Sequence, residues 1–186
     1  MRNASDSFKA VTFVFSKNNH IKLLVIAIML TLQSAQAQTD VYALRELQAA
    51  YIYNFAKYIK WPADSDQFVI GVYGDDELLL KNFDLLNSKK VGGKPITVKK
   101  IESPEDILTC NIAYLPQSNS SKLEKLLRAA EGRHVLIVTE DDMIKKGASI
   151  SFTIVNNALK FKLKESTLTA AGLTASQGLL KLAIVL

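Results

Sequence analysis

The chain has 186 residues, a formal net charge of +5, one cysteine and two histidines. A single cysteine excludes an intrachain disulfide, and two histidines are a poor start for a His-based zinc site. Four of the basic residues lie in the first 22 positions and the rest of the chain is close to neutral, so the excess positive charge is not read as the footprint of a nucleic-acid binder.

Residues 20–37, HIKLLVIAIMLTLQSAQA, read as a secretory signal. Lys22 precedes an apolar run from Leu23 to Leu32, and Ala35-Gln36-Ala37 supplies the small-x-small pattern of a cleavage site after Ala37. The rival reading is a membrane anchor, but a helix of that run rises only ~15 Å against a hydrocarbon core of ~30 Å. Residues 1–37 are therefore expected to leave as a signal peptide, and 38–186 to form one α/β domain that is not itself membrane-spanning. Cleavage removes Arg2, Lys9, Lys17 and Lys22 with only Asp6, so the remaining domain is close to neutral.

From Val41 to Lys60, Leu44, Leu47, Tyr51, Ile52, Phe55, Tyr58 and Ile59 recur at the spacing of a core-facing helical stripe. Trp61-Pro62 ends that helix, because proline forces the preceding residue out of helical geometry. Runs rich in β-branched and aromatic residues follow at Phe68–Gly74, Pro95–Ile101, Asn111–Leu115 and Val135–Thr139, and they predict strands. Helix-start chemistry lies between them: Gly74-Asp75-Asp76-Glu77, Ser103-Pro104-Glu105-Asp106, and Ser121 with Glu124. Such alternation predicts a largely parallel sheet flanked by helices.

Ala148–Val155 and Leu159–Lys164 alternate strictly across Asn156-Asn157, which predicts an antiparallel hairpin with Leu159, Phe161 and Leu163 inward and Lys160, Lys162 and Lys164 on a solvated edge. The chain then reads as a helical turn, a break at Gly172 and a final helix capped by Ser176. The expected fold is α/β: a largely parallel or mixed sheet of about six strands with a C-terminal hairpin and a closing helix. If the ending Leu182–Leu186 stays unpacked, it points to a homodimer.

Catalytic signals are thin. No Gly-x-Ser-x-Gly elbow, P-loop or Gly-x-Gly-x-x-Gly is present, and the chain is expected not to be an enzyme and to need no metal or other cofactor. His134 reads as a strand-edge residue. Cys110, among Ile107, Leu108, Ile112 and Tyr114, reads as a buried thiol in preference to an intermolecular bridge. Asp75-Asp76-Glu77 and Glu140-Asp141-Asp142 each follow a predicted strand, where they suit helix starts better than a cation. A phospho-receiver reading fails because Leu115 runs into Pro116-Gln117-Ser118 with no aspartate.

The ordered segments resemble the YfiR-like periplasmic regulatory proteins. The likeness rests on AAYIYNFAKYIKWP (49–62), FVIGVYG from Phe68, HVLIVTE with GASISFTIVNNALKFKL (134–163), and the closing AAGLTASQGLLKLA. The resemblance implies a periplasmic, non-enzymatic regulator that binds the sensor domain of an inner-membrane diguanylate cyclase and holds cyclic di-GMP signalling down. The better-known members carry paired cysteines; with Cys110 alone, control through an internal disulfide is excluded here.

Two surfaces are candidates for binding. Tyr42, Ala49, Tyr53, Lys57 and Lys60 fall off the main stripe of the first helix, with Trp61 at its end, and Tyr53, Lys57 and Trp61 are the expected partner contacts. The alternative is a sensory module for a small ligand, acting with another membrane receptor or a histidine kinase. It would use the carboxyl edge of the sheet around Asp75, Ser118 and Glu140.

Overall fold

The computed structural model describes residues 41–62 and 66–186; the expected signal segment and the predicted domain start at Gln38 lie outside them. The described residues open in a helix, α1, that runs to residue 58. It leads into β1 (Ile59–Lys60), β2 (Phe68–Tyr73), α2 (Glu77–Asp84), β3 (Lys90–Val91) and β4 (Lys94–Ile101). Then come β5 (Ile112–Leu115), α3 (Leu123–Ala129), β6 (Leu136–Thr139), β7 (Ile150–Val155) and β8 (Ala158–Leu163). The chain closes with α4 (Glu165–Ala170), β9 (Thr174–Ala175), α5 (Gln177–Leu180) and β10 (Ile184–Val185). From Leu44 to Leu186 it forms one compact unit.

The fold is α/β, with a mixed sheet of eight strands in the order β10-β8-β7-β6-β5-β2-β4-β3 and a separate antiparallel pair, β1 with β9. Six strands were expected; the difference comes from two-residue strands too short to show a period in sequence. The central ladders β4-β2-β5-β6-β7 are parallel. Both faces of these strands are covered, so β2, β5 and β6 are buried along their whole length. On β5, Ile112 and Tyr114 belong to one apolar cluster with α1 and α2, while Ala113 and Leu115 belong to another with α3 and Ile107.

The hairpin forms as expected: Asn156 and Asn157 take φ of +50° and +59°, and Phe152 pairs with Phe161. Its lysine side is not the sheet edge, however, because β10 runs parallel beside β8, with the amide of Leu186 donating to the Leu163 carbonyl at 2.9 Å. The closing residues thus form a strand where a helix was expected. β-branched Ile184 and Val185 gain backbone partners along β8 that a solvent-facing helix turn would not give them. Only Gln177–Leu180 are helical, with the Ser176 hydroxyl accepting from the Leu179 amide at 3.2 Å. Leu182 and Leu186 remain exposed.

In α1 the buried stripe is Gln48, Ala49, Ile52, Phe55 and Ala56, with Ile59 beyond its end. Leu47 and Tyr58, placed on the stripe from sequence, are 44% and 45% exposed, and Ala49, placed off it, is buried. A helix turns 100° per residue, so Leu47 and Tyr58 sit far round from the line through Ile52, Phe55 and Ile59. Ile59 and Lys60 are already extended, paired with Ala175 and Thr174. Nor does Ser121 cap α3: a 3-10 stretch, Gln117–Lys122, runs straight into it and supplies the missing acceptors.

Candidate functional site

The end of α1 carries an aromatic and basic patch. Trp61 is half-buried; its Nε1 donates to the Ala56 carbonyl at 2.8 Å, and its ring meets Phe68 edge-to-face with centroids 5.0 Å apart. Two contacts therefore fix the indole. Lys57 is exposed, with its ammonium 5.5 Å from the ring centres of both Tyr53 and Tyr58. The Tyr53 hydroxyl donates to the Lys90 carbonyl at 3.4 Å and ties the helix to β3. Lys57 and Trp61 line one cleft and Tyr53 sits a turn back on the helix, so the three expected contacts occupy one surface. Tyr58 belongs to the same surface. Sequence reasoning missed it because it took the residue for core; the Ile52-Phe55-Ile59 phase carried the information.

At the carboxyl edge of the sheet the geometry is internal. Arg45 of α1 reaches Glu140, which follows β6, and Asp76, which follows β2, at 3.3 Å. Gln48 accepts from the same guanidinium at 3.0 Å and donates to Glu140 at 3.3 Å; the amide of Gln117 donates to the other Glu140 oxygen at 2.9 Å. Both carboxylate oxygens of Glu140 are thus occupied by protein donors. Asp76 divides its oxygens between Arg45 and the first turn of α2, where it accepts from the Leu79 amide at 2.9 Å. Asp75 and Ser118 are exposed, and the Ser118 hydroxyl donates to Asn119 Oδ1 at 3.0 Å. The structure brings Glu140 and Asp76 together through Arg45 and leaves Asp75 and Ser118 outside that contact. Arg45 and Gln48 were missed because they are polar residues on an apolar stripe, in step with Ile52.

Beneath this network lies Tyr114, fully buried, its ring 5.0 Å from that of Phe83. Among the described residues its hydroxyl has no hydrogen-bond partner, although Arg45 is near enough for its charge to matter. Burial pushes the phenol well above its ordinary value of 10.0, Glu140 and Asp76 push the same way, and Arg45 opposes them.

Asp141 and Asp142 are held by partners within the fold. Asp141 accepts from the Ser120 hydroxyl at 2.8 Å, and Asp142 pairs with Lys162. Among the described residues, no group of three His, Cys, Asp or Glu side chains is placed to hold a metal ion. His134 is exposed, its Nδ1 2.9 Å from the Ala171 carbonyl. Cys110 is a free, buried thiol raised above its ordinary 9.0 by burial, so it is protonated at neutral pH and a poor nucleophile. Among the described residues, no helix is long and apolar enough to cross a membrane.

Residues 45–184 match a family described as YfiR/HmsC-like, a span that begins at Arg45 and ends within β10. No curated protein matches the chain.

Proposed function

The chain belongs to the YfiR/HmsC-like family, and from that premise we propose that it is a periplasmic, non-enzymatic regulator. It binds the periplasmic sensor domain of an inner-membrane diguanylate cyclase and represses it, lowering cyclic di-GMP. What carries the reading is the family match over residues 45–184. The signal pattern ending at Ala37 supports export.

The partner contacts are assigned to Tyr53, Lys57 and Trp61, with Tyr58 beside them. The support is physical: a rigid indole, two tyrosine rings and an exposed ammonium on one helix end are the side chains that concentrate binding energy in protein interfaces.

Removing the gene from its host tests the reading directly. Cyclic di-GMP should rise, and fall again when the wild-type protein is restored. Lys57→Glu should restore repression poorly while reaching normal periplasmic levels. Unchanged cyclic di-GMP on deletion, with no membrane cyclase recovered by cross-linking, sinks the proposal.

A further inference from the structure

The last turn of α1, the Trp61-Pro62 corner and the start of β2 form one side of a cavity of about 310 Å³, and Val91 and Lys94 of the β3–β4 hairpin form the other. Its walls are apolar: Ala56, Ile59, Phe68 and Val91 are buried, and the Trp61 ring is held by its hydrogen bond to the Ala56 carbonyl and its packing on Phe68. At Gly92, on the rim, a side-chain carbon would meet nothing within 4 Å, so the mouth is open there. Lys57 is exposed and Lys94 half-buried, and among the described residues neither ammonium pairs with a carboxylate.

We infer that this cavity binds a small amphipathic carboxylate, its apolar body against Trp61 and Phe68 and its charge drawn to Lys57 and Lys94. Size and charge both select this class. The volume lies at the small end of the range for ligand cavities, roughly 300–1,000 Å³, which suits one compact apolar body. Two like charges lining one cavity repel each other, and a bound anion removes that repulsion. Other classes fit worse. Among the described residues, no carboxylate lines the cavity to receive a cation. Apart from the lysines, the polar side chain there among the described residues is Asn111, whose Oδ1 already accepts from the Val69 amide at 2.8 Å, so a polyhydroxyl ligand would find few partners. The fixed indole means that little ordering is lost on binding.

The cavity shares Lys57 and Trp61 with the proposed partner surface but holds or fails with the protein alone. Trp61 is the single tryptophan of the chain, so its fluorescence reports occupancy directly. The experiment titrates protein purified from expression of the full reading frame with decanoate and phenylpropionate, and with decanol and phenylpropanol as neutral counterparts. The expected result is a saturable emission change for at least one acid below about 1 mM, with its alcohol at least about tenfold weaker. Added salt should erode the difference. The double substitution Lys57→Gln with Lys94→Gln should bring the acid to the level of its alcohol while leaving the circular dichroism spectrum unchanged; both positions are at or near the surface. No saturable change with either acid, equal affinity for acid and alcohol, or an acid affinity indifferent to the lysine substitutions overturns the inference.

Discussion

Arg45 on the first helix and Glu140 just after β6 form an ion pair across 95 residues of sequence, with side chains only 15% and 14% exposed. The pair fixes α1 against the carboxyl edge of the sheet, and Asp76, Gln48 and the Gln117 amide are its further partners. Arg45→Met would leave Glu140 the Gln48 and Gln117 donors but no opposite charge. The expected loss is about 2–4 kcal/mol, read from urea unfolding, below the full cost of a deeply buried pair because some solvent reaches both groups. Arg45→Met with Glu140→Gln should recover part of it.

Gly71 and Cys110 are matched in size. A side-chain carbon at Gly71 would lie 2.7 Å from Cys110 Sγ and 3.1 Å from Ile101, on the fully packed face of β2. Gly71→Ala should cost about 1–3 kcal/mol through overpacking. Adding Cys110→Ala removes the sulfur and should restore a substantial part, so a double-mutant cycle should show strong coupling. Simple additivity would refute the size match.

Stability should fall at alkaline pH. The native Cys110 thiol and Tyr114 phenol both hold their protons above their ordinary values of 9.0 and 10.0. Above those values the unfolded chain binds fewer protons than the folded one, so unfolding becomes easier as pH rises. Urea midpoints should decline from near pH 9 upward. Tyr114→Phe should remove the later part of that decline while keeping the ring packed against Phe83.

At the hairpin tip, Asn157 sits at φ +59°. Asn157→Gly should be neutral or stabilising by up to about 0.5 kcal/mol, whereas Asn157→Val should cost about 1–2 kcal/mol, because a branched side chain resists the left-handed region. Thermal midpoints of the two variants should move apart accordingly.

The strands and the hairpin were legible in sequence because β2, β5 and β6 are runs of apolar and β-branched residues, β4 carries Ile96, Thr97 and Val98 in a row, and the Asn-Asn turn carries its own conformational signal. β1, β9 and β10 were not, since two residues carry no period and their pairing depends on neighbours remote in sequence. The helix phase was half legible. Ile52, Phe55 and Ile59 fixed it, but treating every apolar residue as core pulled Leu47 and Tyr58 inward and hid Gln48. The Arg45 network was illegible for a related reason: a buried ion pair is marked by geometry, and the acidic residues looked like helix starts from sequence. For Asp76 that reading was right as well, since one carboxylate does both tasks.

The distance in sequence between α1 and its partners bears on how the chain is made. Synthesis delivers the helix first, yet Phe55 packs on Phe161 with ring centres 4.9 Å apart, and the Tyr51 hydroxyl waits for a carbonyl 108 residues later. Until β7 and β8 emerge, the Tyr51 and Phe55 rings lack these partners, and the apolar side of that helix is only partly covered. Contacts this remote make folding slow and leave greasy surface uncovered meanwhile, so a holding chaperone would find its target in the opening helix.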